Sequence, residues 1–115
     1  MNTVYGIPNC DSVKKARHWL TDHGVSYTFH DFKKQGVPTE LLPGWIEAVD
    51  LDRLINRKGP TWRKLDPTVQ ASVVDAASAT AVMLANSSVI KRPVVVWADG
   101  VITVGFDVNM FAQRL

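Results

Sequence analysis

Residues 3–20 read TVYGIPNCDSVKKARHWL, and a change of pattern inside them decides the fold. Thr3 to Ile7 is a short run of β-branched and aromatic residues closed by Pro8, which reads as a strand. From Ser12 the apolar residues Val13, Ala16, Trp19 and Leu20 recur at spacings of three and four, with Lys14, Lys15, Arg17 and His18 between them. That spacing predicts an amphipathic helix. Gly24 stands where a C-terminal cap belongs. Between the strand and the helix falls Cys10, the single cysteine of the chain.

Working outward, Val25 to Phe32 alternates through Val25, Tyr27 and Phe29 and reads as a second strand. Strand, helix and strand in succession predict a βαβ unit with parallel pairing. Thr39 to Val49 carries an apolar helical stripe (Leu41, Leu42, Trp45, Ile46, Val49), with Pro43 near its start, and Leu51 to Ile55 adds a turn. Asp66-Pro67 reads as an N-cap followed by proline at the first helical position. The helix it opens is expected to run to about Ala85, burying Val69, Val73, Ala77 and Met83 or Leu84. In PVVVWADGVITVGF two β-rich runs flank Asp99-Gly100, the sign of a tight antiparallel hairpin. Asp107 to Leu115 closes as a short helix.

The order β-α-β, helices, β-β-α is that of an α/β (α+β) thioredoxin-like fold with a mixed four-stranded sheet. The expectation is a single domain over residues 1–115 with a helical insertion over about 38–86. At 115 residues the chain is long enough to bury one core without disulfides or a structural metal.

Composition is ordinary for a globular protein: 46% hydrophobic, 21% charged, net charge +2 from 13 basic and 11 acidic residues. The basic residues do not cluster beyond pairs such as Lys14-Lys15 and Lys33-Lys34, which argues against nucleic-acid and membrane-surface partners. One cysteine forbids an internal disulfide and any cysteine-based zinc cluster. The start MNTVYGIPNC lacks the basic and long apolar regions of a signal peptide, so a reducing cytoplasm is the expected compartment. His18, His23 and His30 make no metal-binding spacing, and no phosphate loop, dinucleotide fingerprint or serine–histidine–acid set is present. Metal, flavin and nicotinamide are therefore not expected, and nothing requires more than a monomer.

Cys10 sits in a strand-to-helix turn among Asn9, Asp11 and Ser12, a poor place for apolar filler. A free thiol titrates near pH 8.5, and the unpaired amides and positive dipole end of a helix N-terminus favour its anion. A thiol so placed is nucleophilic at cellular pH. Asn9 and Ser12 offer neutral donors, Lys14 and Lys15 add positive charge, and the Asp11 carboxylate opposes them. Cys10 is followed by Asp11, Ser12 and Val13 rather than by a second cysteine, so a dithiol cycle within one chain is excluded. An outside thiol such as glutathione, or a glutaredoxin-type partner, must resolve any adduct.

Two arginines are candidates to accompany the thiol. Arg57 lies in LINRKGPTWRKL, a loop-like stretch, and Arg92 lies in IKRPVVV. A proline opening a strand of such a sheet, here Pro93, is the place for a cis peptide facing the cysteine-bearing helix, which brings Arg92 toward Cys10. Guanidinium groups hold carboxylates and tetrahedral oxyanions by paired hydrogen bonds.

Taken together, YGIPNCDSVKKA, RKGPTWRKLD, ASATAVM, IKRPV and VGF, in that order, resemble the ArsC-like family over essentially the whole chain, most closely the branch known as YffB. The resemblance implies a thioredoxin-like fold with a helical insertion. Relatives include glutathione- and glutaredoxin-dependent arsenate reductases and the Spx transcriptional regulators. Carried over, Cys10 matches the catalytic cysteine, and Arg57 and Arg92 match two of the arginines that surround the oxyanion. The third arginine has no counterpart; Thr103-Val104-Gly105-Phe106 stands there, and its glycine and phenylalanine resemble the G-F pattern of the YffB and Spx branches. The expected function is a glutathione-coupled thiol reductase acting on a small anionic or disulfide substrate. Arsenate reduction and a Spx-like binding role are the alternatives.

Overall fold

In chain order the elements are β1 (Asn2–Gly6), α1 (Asp11–Asp22), β2 (Tyr27–Asp31), α2 (Phe32–Gln35), α3 (Leu42–Val49) and α4 (Leu51–Leu54). There follow α5 (Pro60–Arg63), α6 (Pro67–Ala71), α7 (Ala76–Ala85), β3 (Val94–Val96), β4 (Ile102–Val104) and α8 (Val108–Ala112). Short 3-10 turns precede α3 and follow α7. The computed structural model describes residues 1–115. It contains two compact units, Met1–Gln35 with Arg92–Leu115, and Gly36–Lys91.

The first unit holds the sheet, in the order β2-β1-β3-β4. β1 pairs with β2 in parallel, Val4 opposite Phe29, as a helical crossover through α1 requires. β3 runs antiparallel to β1, with Val95 opposite Val4, and β4 antiparallel to β3. Strand side chains alternate between faces, so the paired Val4 and Val95 point to the same side. There they meet Ala16, Trp19 and Leu20 of α1, with Trp97 and Phe111. The Phe111 ring meets Trp19 and Trp97 edge-on at centroid distances of 5.4 and 5.2 Å. Each fully buried side chain of this kind contributes about 1.5–3 kcal/mol, which fixes α1 against the sheet. This is the mixed four-stranded α+β arrangement of the thioredoxin-like fold.

The second unit is helical. α3 buries Leu42, Trp45 and Val49, and α7 buries Ala79, Val82 and Met83. Its two ends are tied by a short antiparallel bridge between Ile55 and Ile90. Asn56 N–H donates to Val89 O at 2.7 Å, and Lys91 N–H to Leu54 O at 2.6 Å. Pro43 falls in the first turn of α3, where its missing N–H costs nothing.

One expectation is corrected. The stretch from Asp66 to Ala85 is not one helix but two, α6 and α7, separated over residues 72–75. Val73 and Met83 are buried, whereas Val69, Ala77 and Leu84 are exposed. Asp75 adopts extended backbone and accepts from Ser78 N–H, while the Ser78 hydroxyl accepts from Asp75 N–H, a reciprocal capping box. A new helix start inside an apolar pattern overrides the periodicity, because the cap satisfies amides that a continuous helix would have used. No helix is long and apolar enough to cross a membrane.

Candidate active site

Cys10 is the N-cap of α1. Its backbone is extended (φ −144°, ψ 126°), and its carbonyl accepts the first helical hydrogen bond from Lys14 N–H at 2.9 Å. The side chain is half-buried. It closes no cap hydrogen bond of the kind Asp75 makes, so the first amides of α1 stay open toward the sulfur. Burial is the largest single influence on the thiol and pushes its pKa up. The Val13 amide, the guanidinium of Arg92 by hydrogen bonding and by charge, and the Ser12 amide together outweigh it. The net result is a thiol held below its ordinary pKa, which raises its thiolate fraction at neutral pH.

Two further features set this geometry. Gly6, at the end of β1, was not singled out from the sequence. A Cβ built on it would stand 2.8 Å from Val13 Cγ2. Only glycine lets the strand end close against α1 here, and Val13 is the residue whose amide acts on the sulfur. On the other side, the Arg92–Pro93 peptide is cis and Pro93 is buried. The Pro93 carbonyl accepts from Gly105 N–H at 2.8 Å. Gly105 has φ +79°, a conformation that favours glycine, and Phe106 packs edge-on against Phe111 at 4.9 Å. The Gly-Phe pair that stands in place of a third arginine therefore supports the Arg92–Pro93 turn and the core.

Asn9, Asp11 and Ser12 are exposed around the thiol, and Lys14 lies one turn further along α1. Arg57 belongs to the helical unit, where it pairs with Asp52 at 3.0 Å and lies 5.1 Å from the centroid of the buried Trp62 ring. The groups that act on the sulfur are the Val13 and Ser12 amides and the Arg92 guanidinium. A thiolate beside a guanidinium and open amides can attack an electrophilic sulfur or oxyanion centre and hold the negative charge that develops.

The ArsC family model matches residues 5–113. The chain is similar to a solved structure of a protein named YffB, 43% identical over 100% of this chain and 99% of that one, with a TM-score of 0.93. It is 49% identical to an arsenate reductase (ArsC) related protein from Brucella melitensis, covering 97% and 92% of the two chains with a TM-score of 0.75. A global transcriptional regulator Spx from Staphylococcus saprophyticus is 22% identical over 97 residues, 83% of this chain and 72% of the regulator. With the family match spanning nearly every residue from β1 to α8, the chain belongs to the ArsC family.

Proposed function

We propose that the protein is a thiol-dependent reductase that works through Cys10 alone and takes its electrons from glutathione. The observation that carries this reading is the Cys10 sulfur, set at an uncapped helix N-terminus and held below its ordinary pKa by the Val13 and Ser12 amides and Arg92. With a disulfide substrate, the Cys10 thiolate attacks one sulfur, the S–S bond breaks, and the distal sulfur leaves as a thiolate. One glutathione thiolate then attacks the Cys10 sulfur of the mixed disulfide, expels the second product thiolate and leaves Cys10 glutathionylated. A second glutathione, directly or through a glutaredoxin, frees Cys10 and departs as oxidised glutathione. Two electrons pass from two thiols to one substrate disulfide, and two protons from the glutathione thiols balance the two product thiols. Arg92 and the open amides hold the negative charge on the attacking and leaving sulfurs.

The test is the pH dependence of Cys10 alkylation by iodoacetamide, followed by mass spectrometry after exposure to oxidised glutathione. The expected result is a pKa below 8.5 and a single glutathione adduct that reduced glutathione removes. A pKa at or above 8.5, or no adduct, overturns the reading. Similarity to an arsenate reductase related protein favours a second reading, with arsenate at the same sulfur. Turnover of arsenate with glutathione and glutaredoxin, lost in Cys10→Ser, would select it. No turnover above that control discards it.

A further inference from the structure

Beyond the thiol, one face of α1 lines a basic groove. At 100° per residue, Cys10, Lys14, Arg17 and Thr21 fall within about 60° of one another, and a rise of 1.5 Å per residue puts Lys14 about 6 Å and Arg17 about 10 Å along the axis from Cys10. Lys14, Arg17, His18 and Thr21, with Tyr27 from the neighbouring edge strand, line a cavity of about 300 Å3. Arg17 is held in place: its Nε donates to the Tyr27 hydroxyl at 3.0 Å, and its guanidinium carbon lies 4.1 Å from the centroid of the Phe29 ring. Those contacts hold the guanidinium at the wall of the cavity. The Tyr27 hydroxyl accepts from Arg17 and so keeps its own proton to donate. The ion pairs of the chain are Arg57–Asp52 and Arg114–Asp99; no carboxylate neutralises Lys14 or Arg17. A pocket lined by an ammonium, a positioned guanidinium and hydroxyls, with no acidic side chain among them, selects an anion.

Resting on the proposed exchange at Cys10, we infer that this groove binds a carboxylate of the small thiol or disulfide that reacts there. A peptide-like thiol of three residues spans about 10 Å end to end. With its sulfur on the middle residue and held at Cys10, a terminal carboxylate reaches the Lys14 end of the groove, about 6 Å along the helix, and the long Arg17 side chain faces it from the next turn. The groove thus makes the exchange selective for anionic over cationic or neutral partners. The chemistry it selects for is unchanged: the Cys10 thiolate attacks a disulfide sulfur, a mixed disulfide forms, and the other half leaves as a thiolate.

Two probes of opposite charge test this: oxidised glutathione, which is anionic, and cystamine, which is cationic. Second-order rates of mixed-disulfide formation are measured for the wild type, Lys14→Gln, Arg17→Gln and the control Lys33→Gln on α2. Lys14 is exposed and makes no structural side-chain bond, so its variant tests the idea even if Arg17→Gln folds poorly. The expected result is a drop of about threefold to tenfold with oxidised glutathione for Lys14→Gln and Arg17→Gln, with cystamine unchanged or faster. Lys33→Gln leaves both rates alone and keeps the wild-type pH profile with neutral iodoacetamide. An unchanged ratio of the two rates, or an equal change in Lys33→Gln, overturns the groove while leaving exchange at Cys10 intact. Failure of the wild type to react with either disulfide instead overturns the proposed exchange, and the groove's role with it.

Discussion

Helices α1 and α8 start from almost the same backbone and end up as opposite devices. Their N-caps, Cys10 and Asp107, have φ/ψ of −144°/126° and −145°/126°. At α8 the Asp107 carboxylate accepts from Met110 N–H, three residues on, at 2.9 Å. The residue three beyond Cys10 is Val13, whose N–H acts on a sulfur that closes no cap bond. A carboxylate at such a position is worth about 1 kcal/mol to helix stability. A thiol gives up most of that and gains the same amides as support for its anion. What separates the two helix starts is one side chain, together with the arginine brought to it by the turn before β3.

The comparison can be broken most directly at Cys10 itself. Cys10→Ser is expected to abolish alkylation and glutathione adduct formation completely by mass spectrometry, while the melting temperature holds or rises, because serine caps well. A lower Tm would mean that the thiol is doing structural work. Next in size, Arg92→Gln should raise the Cys10 pKa and slow iodoacetamide alkylation at pH 7 by about threefold to tenfold, since a charged donor is lost from the thiolate. An unshifted pH profile would assign the effect to the amides alone. Asp107→Ala should cost about 1 kcal/mol in urea denaturation and leave the Cys10 alkylation profile where it was. If that profile moved, the two helix starts would not be independent.

The smallest expected effect is on stability against pH. The folded thiol has a lowered pKa, so the thiolate is favoured by folding. Its contribution is fully present above the unfolded value, about 8.5, and is lost as pH falls through the lower folded value. The stability of the wild type relative to Cys10→Ser should therefore increase with pH across that window and level off above it. The check is a set of urea midpoints for both proteins at intervals from pH 6 to 9.5. A difference that stayed flat or fell with rising pH would contradict the lowered thiol.

Much of this was legible in the residues. Switching between periods of two and three to four located β1, α1 and β2, and Asp99-Gly100 located the β3–β4 hairpin. The position of Cys10 at the start of α1 followed from the same switch. The division of residues 66–85 into α6 and α7 did not, because Asp75 and Ser78 are separated by alanines that also fit a continuous helix. Their cap becomes readable only once the chain is seen to turn there. The stripe of Lys14, Arg17 and Thr21 was present as spacing. That it opens onto a cavity depends on Tyr27 and Phe29 of β2, which sequence distance does not place beside it.

By itself the sequence determined the local facts: a lone cysteine, an N-terminal helical position for it, and the absence of a second, resolving cysteine in the chain. These depend on residue identity and short-range periodicity, and both are written in order along the chain. The sequence pointed to Arg92 beside Pro93, and the tertiary structure decided how that guanidinium and the other distant groups act on the sulfur. Arg92 is 82 positions from Cys10 in the chain, and it reaches the thiol because it stands just before β3, which pairs beside β1. Gly6 matters because β1 closes against Val13, and Gly105 because its amide holds the Pro93 carbonyl. Charge and hydrogen bonding act over a few ångströms of space rather than over residues of sequence, so the final environment of the thiol belongs to the fold.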